Sequence, residues 1–94
     1  MSEERKEVRL NPHRIQDRYS MSEYMRSLFD LPEYFSGNLD SLVDCISEIT
    51  ENTDILLTKQ CVREACESKY AFKVLMALGR AADDNPHIHI MFKE

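Results

Sequence analysis

The 94-residue chain is 43% hydrophobic and 31% charged, a composition typical of one globular domain, here residues 1–94, with a single core. Its net charge of −5 and pI near 5.2 argue against nucleic-acid binding, which needs a basic surface, and no apolar run approaches the roughly 20 residues of a membrane span. Three cysteines cannot all pair within the chain, and the charged amino terminus lacks a signal sequence, so we expect reduced thiols and a cytoplasmic protein.

The beginning of the chain predicts a short strand followed by a helix. Residues 8–10 alternate apolar and polar side chains, and Asn11-Pro12 is a turn signal. Ser20 and Glu23 have the spacing of a capping box, which predicts that the first helix begins at Ser20. Pro32 ends this helix.

A central amphipathic helix is predicted over about residues 39–50, entered after Asn38. Its apolar residues recur at spacings of three and four, which indicates one buried stripe. Cys45 lies beside this stripe and is interpreted as a small buried hydrophobe. The stripe consists of Leu39, Leu42, Val43, Ile46 and Ile49.

The second half predicts a strand, two helices and a final strand. Residues 55–57 form a short apolar run. Residues 59–82 are long enough for one helix or two, and Ser68, a good cap for a second helix, favours two. The second helix turns Ala71, Val74, Leu75 and Leu78 inward. Residues 87–92 alternate again, with Ile88, Ile90 and Phe92 on one face. This order predicts an α/β fold in which two right-handed crossovers build a three-stranded parallel sheet.

The acidity of the chain is confined to one third of its length. Residues 1–26 and 59–94 each carry a charge of +1, whereas residues 27–58 carry seven acids and no base. On the central helix the carboxylates of Asp40, Asp44 and Glu48 follow one another at spacings of four, which costs a few tenths of a kcal/mol per pair. The pattern leaves two interpretations open: a solvated helix face, or a surface for a cationic partner.

The segment LPEYFSGNLDSLVDC, residues 31–45, resembles the signature LPEYYGxNLDALWDC of the barstar family of intracellular ribonuclease inhibitors. The two sequences align without a gap from Val8 to about Thr50, and beyond that only the pattern of strands and helices is similar. The resemblance implies a two-layer fold, with the three-stranded parallel sheet packed on three to four helices. It also implies inhibition without catalysis, in which the central helix and the loop before it block the active site of a basic ribonuclease.

The resemblance also assigns roles by position. Asp44 would take the place of a substrate phosphate, facing the catalytic Arg, Lys and His groups of the enzyme, and Asp40 would add a second carboxylate. The ring of Tyr34 would pack on the enzyme while Asn38 holds the loop. The full set of expected partner-binding residues is Tyr34, Phe35, Gly37, Asn38, Asp40, Val43, Asp44, Ser47, Glu48 and Arg80.

Three departures from the family pattern concern the choice of target. Val43 stands where the family has an aromatic residue, and Arg80 stands where it has an acid. The loop reads Tyr-Phe-Ser-Gly, which moves its glycine by one position to Gly37. These differences favour a ribonuclease other than barnase, with an acidic group opposite Arg80.

Other functions have weaker support in the sequence. His87 and His89 have a spacing that could hold a metal, but no third ligand is placed beside them, so we expect neither a metal nor a cofactor. No motif for a nucleophile or a phosphate loop occurs, so we expect no catalytic residue and no enzyme. The alternative function is an interaction module for a basic partner that is not a nuclease. In either case we expect a monomer when the protein is free.

Overall fold

The computed structural model describes residues 5–93. Within them, none of the helices is long and apolar enough to cross a membrane. The structure contains three strands, a short 3-10 helix and four α-helices. In chain order they are β1 (Lys6–Arg9), the 3-10 helix (Pro12–Arg14), α1 (Arg18–Leu28), α2 (Leu39–Ser47), β2 (Thr53–Thr58), α3 (Lys59–Cys66), α4 (Lys69–Asp84) and β3 (Ile88–Lys93).

The three strands form one parallel sheet in the order β1-β2-β3. Ile55 in the central strand is opposite Val8 on one side and Ile90 on the other. Parallel neighbours cannot be joined by a tight turn, so helices span each crossover: α1 and α2 between the first two strands, α3 and α4 between the last two. This confirms the predicted α/β class and the barstar-like arrangement of sheet and helices.

The core joins one face of the sheet to the apolar faces of the helices. In α2 the buried side chains are Leu42, Val43, Cys45 and Ile46, which confirms the buried thiol and the middle of the predicted stripe, while Leu39 and Ile49 at its ends are only partly buried. In α4 the inward side chains include Ala71, Val74 and Leu78, as predicted, while Leu75 is only partly buried. Helices α2 and α4 pack against each other, which fixes α2 on one side.

The last strand has the predicted alternation, but its apolar face becomes more exposed toward the carboxyl end. Ile88 is buried and Ile90 partly so, but the Phe92 side chain is 74% exposed. The reason is its position: β3 is an edge strand, and Phe92 is near its carboxyl end with a strand neighbour, Leu57, on one side only.

Two helix boundaries also differ from the predictions. Helix α1 begins at Arg18 because the Asp17 carboxylate accepts a hydrogen bond from the Ser20 N–H at 2.8 Å, so Ser20 is inside the helix rather than its cap. Helix α2 ends at Ser47 instead of near residue 50, and the Glu48 N–H bonds to the Cys45 carbonyl at 3.3 Å. The predicted cap of α4 is confirmed, since the Ser68 hydroxyl accepts from the Ala71 N–H.

A buried asparagine connects the ends of α2 and α4. The Asn85 Nδ2 amide donates to the carbonyls of Ile46 at 2.9 Å and Ile49 at 2.8 Å, and its Oδ1 accepts from the His87 N–H. The last carbonyls of a helix have no partner within the helix. Asn85 supplies a side-chain donor for Ile46, whose carbonyl also accepts from the Ile49 N–H at 3.2 Å, in a helix whose last turn has no basic residue of its own.

Candidate partner-binding site

The loop before α2 is held in place by α1. The Arg26 guanidinium donates to the Phe35 carbonyl at 2.9 Å and lies over the Phe35 ring, 5.0 Å from its centroid. The Phe35 N–H closes a turn by donating to the Pro32 carbonyl at 3.0 Å. The Phe35 side chain, which was expected at the partner interface, is buried in the core, so its ring anchors the loop and presents no surface of its own.

The second half of the loop leads directly into the helix cap. Gly37 has φ +85°, in the left-handed region that favours glycine. The Asn38 side chain accepts from the Ser41 N–H at 2.7 Å as the N-cap of α2, and the Ser41 hydroxyl accepts from the Ser36 N–H at 3.1 Å. The loop and the first turn of the helix are therefore one hydrogen-bonded unit.

The exposed face of α2 carries carboxylates without counter-charges. Asp40, Asp44 and Glu48 are all exposed, one helical turn apart. The ion pairs within residues 5–93 involve other acids: Asp54 with Arg5, Glu51 with Lys6, and two pairs that include a histidine. In the described part of the chain, no cationic side chain comes within 4 Å of the Asp40 or Asp44 carboxylate.

The aromatic residue of the loop, Tyr34, is directed onto this face. Its hydroxyl donates to the Glu48 carboxylate, and its side chain stays 60% exposed. This hydrogen bond and the negative charges of Glu48 and Asp44 raise the pKa of the Tyr34 phenol to about 12. The phenol is therefore neutral, and the exposed ring and the carboxylate form one surface.

The remaining expected site residues are less available for contact. Val43 is 9% exposed and Ser47 is half-buried, with a hydroxyl that lacks a partner within residues 5–93. Arg80 is exposed on α4, the helix that packs against α2. Burial raises the pKa of the Cys45 thiol, which keeps it protonated beneath the surface.

The two histidines at the end of the chain do not form a pair. His87 precedes β3, and its Nδ1 lies 2.9 Å from the Asn52 Oδ1, whereas His89 is in the strand with its Nδ1 3.7 Å from the Asp54 Oδ1. No group of three or more His, Cys, Asp or Glu side chains within residues 5–93 could hold a metal ion.

Comparison with models of known protein families identifies the family of this chain. The family model described as Barstar (barnase inhibitor) matches residues 5–91 of the chain. The chain belongs to the barstar family. A search of curated proteins found no match.

Membership in the barstar family confirms the resemblance carried by residues 31–45. The family is one of inhibitors rather than enzymes, and its described target is a ribonuclease. The family pattern predicted the residues that would touch a partner and, in Asn38, one residue that holds the loop, but not the other residues that support this surface. Arg26 and Asn85 carry no local sequence signal for this role, because each donates hydrogen bonds to a different segment, Arg26 to the loop and Asn85 to the end of α2.

Proposed function

We propose that this protein inhibits a basic ribonuclease by covering the enzyme's active site with an inhibitory surface, defined as the loop 31–38 and the exposed face of α2. The observation that carries the proposal is the pair of exposed, unpaired carboxylates of Asp40 and Asp44 on a helix fixed at both ends. A nuclease active site must stabilise phosphate, so it presents cationic groups that such carboxylates complement.

In the free protein, repulsion between these carboxylates lowers the stability of the helix. Asp44 has like-charged neighbours one turn away on either side, and the N-terminal dipole of α2 favours Asp40 alone. A cationic partner removes the repulsion and gains charge-assisted hydrogen bonds. Concentrated negative charge also speeds association with a basic protein. Salt weakens this effect, because the electrostatic interaction is screened beyond a Debye length of about 8 Å at physiological ionic strength.

Rigidity is the second support for the proposal. The loop is bound by Arg26 from α1, and its Asn38 caps the helix. Because the surface is ordered before binding, little conformational entropy is lost on association, and the net binding free energy is more favourable.

Two residues bear on which ribonuclease is the target. Val43 offers little area to a partner, and Arg80 adds a positive charge to an exposed helix beside α2. We expect a target that provides a carboxylate opposite Arg80 and does not depend on an aromatic contact at position 43. The same two residues favour the second candidate function, a module that binds a basic partner other than a nuclease.

The test is to measure association and inhibition separately. Stopped-flow association and ribonuclease activity would be measured with barnase, with a set of basic toxin ribonucleases, and with lysozyme as a basic protein that is not a nuclease. We expect nanomolar or tighter inhibition of at least one ribonuclease, on-rates that fall steeply with salt, and weak binding to lysozyme. Equal binding to lysozyme and every ribonuclease, without inhibition, would instead support the second candidate.

A further inference from the structure

A groove of about 650 Å³ lies beside the inhibitory surface, between the turn that follows α1 and the carboxyl end of α2. Tyr34 and Glu48 line it on the side of the inhibitory surface, so the groove continues that surface. Leu31, Pro32 and Ile49 contribute apolar walls. This is a recess with room for a large side chain.

The charges around the groove are mostly negative. Asp30, Glu48 and Glu51 line it together with one base, Lys6. The Lys6 Nζ donates to the Leu28 carbonyl at 2.6 Å and lies 4.0 Å from a Glu51 oxygen, so it is engaged at the end of α1. Three carboxylates against one ammonium leave two negative charges for an occupant to balance.

The position of Tyr34 narrows the choice of occupant. Its exposed ring forms part of the groove, and its hydroxyl bond to Glu48 keeps ring and carboxylate together. A guanidinium can stack on an aromatic ring while it binds a carboxylate in its plane, and its aliphatic stem suits apolar walls. An ammonium group has no flat face and is more strongly hydrated, so it fits this combination less well.

We propose that this groove receives an arginine side chain of the protein partner, as a second contact beside the carboxylates of Asp40 and Asp44. The inference rests on the proposed function in that the partner is the basic ribonuclease bound by α2. It adds a contact outside the region opposite the enzyme's catalytic groups, where partner sequences are free to differ. The groove thus contributes to selection among ribonucleases of similar active-site charge.

The first experiment uses the complex. Asp30→Asn combined with Glu51→Gln removes two charges from the groove and leaves Asp40, Asp44 and Glu48 intact. The control, Glu23→Gln with Glu67→Gln, removes two exposed charges from α1 and the end of α3. Against the inhibited ribonuclease, we expect the groove variant to bind about tenfold more weakly or worse, mainly through faster dissociation, and the control to change affinity by less than about threefold. Equal effects would overturn the groove contact while the proposed function stands.

The second experiment needs no ribonuclease. The free protein would be titrated with N-acetyl-argininamide, and with the uncharged citrulline analogue, while backbone amide shifts are followed by NMR. We expect saturable shifts at Tyr34 and Ile49 with the arginine compound alone, and their loss in the groove variant. If no ribonuclease is inhibited but these shifts appear, the groove binds a guanidinium and the partner is not a nuclease. Absence of saturable shifts, or equal shifts with citrulline, would overturn the proposal whatever the outcome for inhibition.

Discussion

Gly37 packs closely against Ser22: a Cβ built at position 37 would lie 2.9 Å from the Ser22 Oγ and 3.3 Å from the Ser22 Cβ, so the serine side chain would have to shift. The backbone there also has φ +85°, which glycine adopts readily and L-residues rarely do. We therefore expect Gly37→Ala to lower the free energy of unfolding by about 1–3 kcal/mol and to displace the loop. Urea denaturation measures the first effect, and the rate of association with the ribonuclease measures the second.

Gly79 provides the matched control in the same chain. It lies inside α4, and a Cβ at this position would have no atom within 4 Å. Because glycine is a poor helix former, Gly79→Ala should raise the free energy of unfolding by up to about 1 kcal/mol. Changes of the same sign at both glycines would contradict the conformational argument for Gly37.

The amide of Asn85 is predicted to be a major determinant of stability. Asn85→Ala leaves the part-buried Ile49 carbonyl without its side-chain donor and the Ile46 carbonyl with only its backbone donor, which should cost about 1–3 kcal/mol. Asn85→Asp should cost more, because an ionised carboxylate places oxygen against oxygen. Asp84→Ala, at the exposed residue before it, should have little effect in the same urea titration. A loss for Asp84→Ala as large as that for Asn85→Ala would show that the end of α4, and not the amide, is responsible.

Asp44 should have opposite effects on folding and on binding. Asp44→Asn relieves repulsion from two neighbours one turn away, so the free protein should be as stable or more stable by a few tenths of a kcal/mol. In the proposed complex the change leaves cationic groups of the enzyme unpaired, at a cost of about 2–5 kcal/mol, as is typical when one partner of a buried charge pair is removed. Denaturation and inhibition would be measured on the same preparation. Unfolding of the variant would show that Asp44 is structural.

The Tyr34 phenol should ionise only well above the ordinary pKa of a tyrosine. Its pKa is raised to about 12 from an ordinary value of 10.0, so the hydrogen bond to Glu48 contributes fully below pH 10.0 and is lost as the pH rises through about 12. In a spectrophotometric titration, the difference between the wild type and Tyr34→Phe should be a single step near pH 12. Glu48→Gln should move this step to lower pH, because the charge that opposes ionisation is gone. A step that stays in place would assign the raised pKa to another neighbour.

Periodicity, apolar runs, cap residues and the order of elements in the sequence were together sufficient to predict the sheet, the helices and the acidic face. They could not distinguish Tyr34 from Phe35, two adjacent aromatic residues of similar size. Their burial differs because the Phe35 ring packs against Arg26, whereas the Tyr34 hydroxyl is hydrogen-bonded to Glu48 at the surface. Neither partner is adjacent to its ring in the sequence.

The ends of two helices were the other feature that the sequence did not predict. Asp17 and Ser20 are both good caps, and the sequence alone does not choose between them. The apolar stripe of α2 continues in the sequence to Ile49, but the helix ends before it. The Asn85 side-chain amide, and not a further helical turn, donates to the Ile49 carbonyl. Such choices are made by tertiary contacts, which override local preference.

Because Asn85 is synthesised after α2, the hydrogen bonds between them cannot form until most of the chain has been made. A nascent chain on the ribosome acquires every carboxylate of the inhibitory surface by Glu48, but the amide that completes the helix follows 37 residues later. A helix of nine residues is too short to persist alone in water. The acidic surface is thus a property of the finished fold, and a product truncated before Asn85 would carry the charges without the scaffold that aligns them.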